Sequence, residues 1–163
     1  MVTCMRTVAT LLKKFPWLII GGRILWRITQ PKFTAGVVGV IFNDEGKILL
    51  VEHVFHPSTP WGLPGGWIGR GENPSDTLIR ELQEELQLKI DLGPLLLAET
   101  EFGNHFDFAY MALSTAKVGQ LSSELLQYGW YDLSELPSLH HFHWRAIETA
   151  LKYRQVNQVV YSQ

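Results

Sequence analysis

Residues 63–88 read LPGGWIGRGENPSDTLIRELQEELQL, a glycine-rich loop running straight into an amphipathic segment. Asn73 has the chemistry of a helix N-cap, Pro74 suits the first helical position, and Asp76 stands in the capping-box place. The spacing predicts a helix over 74–87. Leu78, Leu82 and Leu86 recur every four residues, and with Ile79 beside them they form the expected buried stripe. Glu81, Glu84 and Glu85 fall on the other face, within about 100° of arc at 100° per residue. Two unit charges ~5 Å apart repel by roughly 3 kcal/mol at an effective dielectric of 20. Such a trio is either a solvated acidic face or a site for a hard divalent cation, which takes carboxylate oxygens and keeps room for phosphate.

The surroundings favour the cation site. Gly65 and Gly66 let backbone approach a ligand closely, Arg80 adjoins the acids, and Glu72 lies within reach of the helix start. From Gly66 the spacing is five residues to Glu72, seven more to Arg80-Glu81-Leu82, then Glu84-Glu85 and Leu88. This resembles the Nudix box, G-x5-E-x7-R-E-U-x-E-E-x-G-U with U a bulky aliphatic, at eight of nine specified positions. The exception is Gln87, where the family has a glycine that ends the helix in a left-handed turn; Gln87 either takes that turn or lets the helix run on. The resemblance extends to WGLPGG before the box and GWYDLSELP at 129–137, and covers residues 34 to about 154.

The resemblance implies an α/β (α+β) fold, a Nudix-type α/β/α sandwich with a mixed sheet, and a hydrolase of nucleoside diphosphates linked to another group. Carried over by position, Glu81, Glu84 and Glu85 bind Mg²⁺, with Mn²⁺ as a substitute, and the Gly65 carbonyl joins them. Glu72 and Arg80 form a supporting ion pair that orients the helix. Glu81 or Glu84 is the first candidate for the base that takes the proton of the attacking water. Glu124 is the candidate base or extra ligand outside the box, with Glu101 behind it. Phe106, Phe108 and Tyr110 alternate along a strand and form either a stacking surface for a base or ordinary core. A modified nucleoside triphosphate and a compact diphosphate derivative such as ADP-ribose both suit this site. A non-catalytic nucleotide-binding regulator on the same fold is the alternative, though such proteins usually lose box glutamates and this box keeps all four.

Outward from the box, 35–43 and 47–54 read as a β-hairpin around Asp44-Glu45-Gly46. A Pro/Gly-rich loop follows at 55–66. Further strands are expected at 94–102, 105–114 and 126–132, and a last helix at about 141–154 with Trp144, Ile147 and Leu151 on one face. Helices are expected at 7–15 and 17–29, with Pro31 and Lys32 as the joint. The expected division is a basic helical extension over 1–33 and the hydrolase domain over 34–163.

The chain has 163 residues, 46% hydrophobic and 18% charged, which excludes a disordered or coiled-coil chain. Cys4 is the single cysteine, so neither an internal disulfide nor a cysteine zinc site can form; a reducing, cytoplasmic setting is expected. The net charge of −2 conceals an asymmetry: residues 1–33 hold six cations and no acid, and the rest holds eight cations and all sixteen acids. An acidic body argues against duplex nucleic acid as a partner. A homodimer is compatible with it. The basic extension either packs on the domain, lies on an anionic membrane surface with Trp17 and Trp26 at the interface, or resembles an organelle-targeting segment. No secretory cleavage site follows its apolar run. His140, His141 and His143 read as a turn entering the last helix rather than a metal site, and His53 and His56, near the loop in sequence, either touch substrate or play no part in the site.

Overall fold

The computed structural model describes residues 16–54, 59–100 and 103–161. In chain order these form helix α1 (Pro16–Thr29), strands β1 (Thr34–Phe42), β2 (Ile48–His53), β3 (Trp61–Gly62) and β4 (Gly65–Trp67), and helix α2 (Pro74–Leu86). Strands β5 (Asp91–Thr100), β6 (His105–Leu113) and β7 (Leu125–Tyr131) follow, and helix α3 (His141–Tyr161) closes the described chain. The residues up to Lys32 and those from Phe33 onward form two compact units. Predicted features at Cys4, 7–15, His56 and Glu101 lie outside the described residues.

The sheet is mixed. Its main order is β3-β2-β1-β6-β5, with β4 also pairing β1 and β7 also pairing β2. β1 runs parallel to β6 along its whole length, from Thr34 opposite His105 to Phe42 opposite Leu113. The other edge of β1 is divided. Phe42 faces Ile48 at the predicted hairpin, whereas Gly36–Val38 pair with Gly65–Trp67 of β4. The hairpin turn is closed by Asn43, whose side-chain oxygen accepts from the Lys47 amide at 2.8 Å, and by Gly46 at φ +79°.

Strand side chains alternate between two cores, as a period of two requires. Ile48 and Leu50 join Val40, Phe42, Phe142, Ile147 and Ala150 under α3. Leu49 and Val51 join Val37, Ile41, Leu78, Leu82 and Leu86 under α2. A helix on each face of one sheet is the expected sandwich. Trp144 and Leu151 pack beside Ile147 as the periodicity predicts, and α3 runs past the expected end at 154.

Three expectations need correction, and a fourth, the Asn73 cap, is met in a different way. Ile79 is exposed rather than part of the buried stripe, because it lies 100° around the helix from Leu78. Asn73 occupies the N-cap position with extended backbone but makes no side-chain cap bond; its amide instead donates to Asp76 at 2.8 Å, so its main contribution is the carbonyl that accepts from Thr77 N at 3.0 Å. The loop expected over 55–66 contains β3 and the start of β4, drawn into strand by the free edges of β2 and β1. The strand expected to start at 94 begins at Asp91, with register shifts around Gly93 and Pro94. At the other end of α2, Gln87 takes the left-handed conformation, φ 49° and ψ 35°, at a cost of about 1 kcal/mol relative to glycine.

Leu82 is fully buried between α2 and the sheet. Leu82→Ala is expected to lower stability by about 2–5 kcal/mol, measured as a shift of the urea midpoint. A shift below about 1 kcal/mol would mean that the helix does not seal this core.

Candidate active site

The site is assembled where β4 and α2 meet. Two adjacent glycines let the elements close on each other for different reasons. A Cβ on Gly65 would lie 2.0 Å from the Val37 carbonyl oxygen, so only glycine permits the β1–β4 pairing. A Cβ on Gly66 would lie 2.5 Å from the Glu81 carboxyl carbon, so a larger residue there would push that carboxyl from its place over the loop. Gly39 N donating to Pro64 O and Ile68 N to Ala35 O fix the loop on both sides.

Arg80 is the hub of the acidic face. Its Nε donates to Glu72 Oε1 and its Nη2 to Glu72 Oε2, each at 3.1 Å, a bidentate pair. Its Nη1 reaches Glu81 Oε1 and Glu84 Oε2, each at 3.0 Å. The expected Glu72–Arg80 pair is therefore present, and it is wider than expected because the same guanidinium also bridges two of the three clustered glutamates. Part of the repulsion expected among them is relieved by this cation of the chain itself. Glu72 is further held by the Gly69 amide at 3.0 Å and by Thr77 Oγ1 at 2.9 Å. Hydrogen bonds from Arg80, then from Gly69 and Thr77, hold its carboxyl down at about 2. Thr77 is buried and escaped the sequence reading. Its only signal there was a polar residue beside the leucine stripe, three places before Arg80.

The three glutamates occupy different environments. Glu84 is well exposed, Glu81 is mostly covered, and Glu85 is buried. Burial pushes the Glu81 carboxyl up against the pull of Arg80. Burial, and then the charges of Glu81, Glu124 and Glu84, push Glu85 up to about 7. Glu85 Oε2 is buried and lacks any hydrogen-bond partner, the one such side-chain atom among the described residues. A buried carboxylate oxygen left in that state is costly, and it is the donor a hard divalent cation takes. Among the described residues no three acidic or histidine side chains are already placed to hold a metal ion; Glu81 and Glu84 are engaged by Arg80 instead. The chemistry of these carboxylate oxygens is that of donors a hard divalent cation takes.

Glu124, in the turn before β7, adds its charge to both Glu81 and Glu85, so the structure brings this residue to the cluster. Phe108 and Tyr110 pack against the core under α2, and Phe106 lies 5.0 Å from the Phe33 ring. His143 accepts from the Leu63 amide at 3.2 Å and lies against Gly62, next to the loop.

The family model for the NUDIX domain matches residues 32–150. The human protein named 8-oxo-dGDP phosphatase NUDT18 is 29% identical over 126 residues, covering 73% of this chain and 39% of its own length. A MutT NUDIX hydrolase from Burkholderia pseudomallei is 28% identical in sequence. It superposes with a TM-score of 0.57 over 73% of this chain and 98% of its own. The NUDIX domain of Shewanella oneidensis NrtR, solved with ADP ribose, shares the fold at a TM-score of 0.61 and 23% identity, covering 76% of this chain and 91% of that one. The chain belongs to the Nudix hydrolase family, whose members generally use divalent metal ions. It spans about two fifths of the length of human NUDT18.

The carboxyl shifts make a pH prediction for the metal-free chain. Glu85 protonates at about 7 when folded and near 4.5 when unfolded. The native chain therefore binds the extra proton between those values, and stability rises as pH falls through that window. Glu72 works in the opposite sense. Its contribution is complete above 4.5 and is lost as pH falls toward about 2. Melting in EDTA is expected to be highest at about pH 5, with Glu85→Gln flattening the change above it. Added Mg²⁺ should raise the melting temperature most at pH 7–8, where Glu85 is ionised. A melting temperature that does not change between pH 5 and 7 would contradict the assignment.

Proposed function

We propose that this chain is a Mg²⁺-dependent pyrophosphohydrolase, able to use Mn²⁺, that cleaves the phosphoric anhydride of a nucleoside diphosphate joined to a further group. The observation that carries this reading is the buried, unpartnered oxygen of Glu85, set beside Glu81 and the paired-glycine loop. The names of the relatives, 8-oxo-dGDP phosphatase and RNA pyrophosphohydrolase, point to the same bond class.

In this reading Glu81, Glu84, Glu85 and the Gly65 carbonyl hold the ion. When bound, it screens the phosphate charge and lowers the pKa of a nearby water. Glu72 and Arg80 act as positioning residues. Their bidentate bond, anchored by Gly69 and Thr77, fixes the first turns of α2 against the loop. Arg80 also holds Glu81 and Glu84 close to one another through its single Nη1. Glu81 or Glu84 accepts the water's proton, and Glu124 supplies an additional carboxylate as ligand or base. Phe108 and Tyr110 pack against the core under α2, so of the three aromatic candidates Phe106 is the one assigned to stacking with the base of the nucleotide. A cytoplasmic setting accords with the single cysteine.

The test is a panel of nucleoside triphosphates, diphosphates and diphosphate derivatives assayed with Mg²⁺ for release of nucleoside monophosphate, pyrophosphate or phosphate. Glu84→Gln is expected to slow turnover by about a hundredfold or more with melting unchanged. Saturable nucleotide binding without turnover on any compound would favour a nucleotide-binding regulator instead.

For the basic extension we propose contact with an anionic lipid surface. Arg23 and Arg27 share one stripe of α1, while Trp17, Leu25 and Ile28 project from the remaining faces and are all more than 60% exposed. Among the described residues no helix is long and apolar enough to cross a membrane. The full chain is expected to cosediment with vesicles containing phosphatidylserine at low salt, less at high salt, and not with neutral vesicles. Failure to sediment with the anionic vesicles would remove this proposal.

A further inference from the structure

The chain departs from the Nudix box at Gln87, and the structure shows what the departure does. A glycine at this position would reach the left-handed turn without strain. Gln87 accepts the strained conformation, φ 49°, and brings a side-chain acceptor to the end of α2. The loop between β6 and β7 docks on that end through three consecutive residues of the helix terminus. Glu85 O accepts from Ser122 N at 2.9 Å, and Leu86 O from Gly119 N at 2.8 Å. Gln87 Oε1 accepts from Gln120 N at 3.3 Å. The first two bonds satisfy carbonyls that a helix end leaves open. The third exists only because residue 87 has a side chain.

The fit is mutual. A Cβ on Gly119 would lie 2.7 Å from both Cβ and Oε1 of Gln87, so the loop has a glycine where the helix end has its glutamine. The same loop then leads directly to Glu124. Ser122 Oγ accepts from Glu124 N at 3.3 Å, and Glu124 O accepts from Val54 N at 3.0 Å. The backbone of Glu124 is thus tied to the loop on one side and to the end of β2 on the other.

We propose that Gln87 is a positioning residue that clamps residues 119–124 onto the end of α2 and thereby holds Glu124 beside Glu81 and Glu85. This rests on the reading above in which Glu124 completes the carboxylate site. Gln87 itself touches neither ion nor substrate; it acts through the loop.

The experiment measures Mn²⁺ affinity by titration calorimetry and amide hydrogen exchange at Gln120 and Ser122. It uses the full chain and the variants Gln87→Gly, Gln87→Asn, Glu124→Gln and Gln87→Gly/Glu124→Gln. Glycine and asparagine both tolerate the left-handed turn, and neither reaches Gln120, so both variants should stay folded. Each is expected to weaken Mn²⁺ binding by roughly tenfold, in the range seen for outer partners of metal ligands, and to speed exchange at Gln120. Glu124→Gln should weaken Mn²⁺ binding to a similar degree without speeding that exchange. The double variant should lose no more than Glu124→Gln alone. If Glu124→Gln weakens Mn²⁺ binding while both Gln87 variants leave it unchanged, the clamp is wrong and Glu124's role stands. If the losses of Gln87→Gly and Glu124→Gln add in full, Gln87 acts on the helix end and not through Glu124, and the proposal is overturned. If Glu124→Gln itself changes nothing, the Glu124 reading falls and takes the clamp with it.

Discussion

A carboxylate buried at the base of an acidic helix is tolerated only if something offsets its charge, and the rest of the site is arranged around that requirement. Glu85 has almost no access to water and one oxygen with no partner. Three offsets are built in. Its own proton affinity is raised, so that the metal-free chain holds it partly neutral near pH 7. Arg80 binds the neighbouring Glu81 and Glu84 and keeps their charge from acting on Glu85 in full. In the proposed function a divalent cation supplies what remains. The first two offsets belong to the chain itself, and the third is the one the proposal ties to function.

Arg80 therefore has a double task. Toward Glu72 it is a fixed strut, with two parallel bonds and two further donors on the same carboxylate. Toward Glu81 and Glu84 it makes single contacts through one nitrogen. Coulomb attraction to a dication exceeds attraction to a guanidinium at comparable distance, so in the proposed reading the single contacts are the ones an incoming ion would replace while the strut remains. Among the described residues no cage of three acidic or histidine side chains is already formed.

Much of the site was legible because its order is local. Glycines, acids and the arginine fall within residues 65–88, and helical periodicity alone puts the glutamates on one face and the leucines on another. The strand alternation that builds the two cores was equally visible in 35–43 and 47–54. Ile79 was misjudged because a four-residue leucine repeat sets the buried direction but not the width of the buried strip; the sheet sets that width. Asn73 stands at the N-cap as its place in the sequence predicts, but it caps through its carbonyl while its side-chain NH₂ donates to Asp76, a choice of geometry that the sequence does not carry.

The amino-acid order alone determined the acidic helix, the glycine pair before it and the family pattern, since each depends on spacing within a few turns of chain. Tertiary structure decided which glutamate is buried, the reach of Arg80 across three carboxylates, the strands β3 and β4, and the docking of the 119–124 loop on Gln87. These depend on contacts between residues far apart in sequence. Whether a backbone edge finds a partner, or a carboxylate loses its water, is settled only when the sheet brings those residues together.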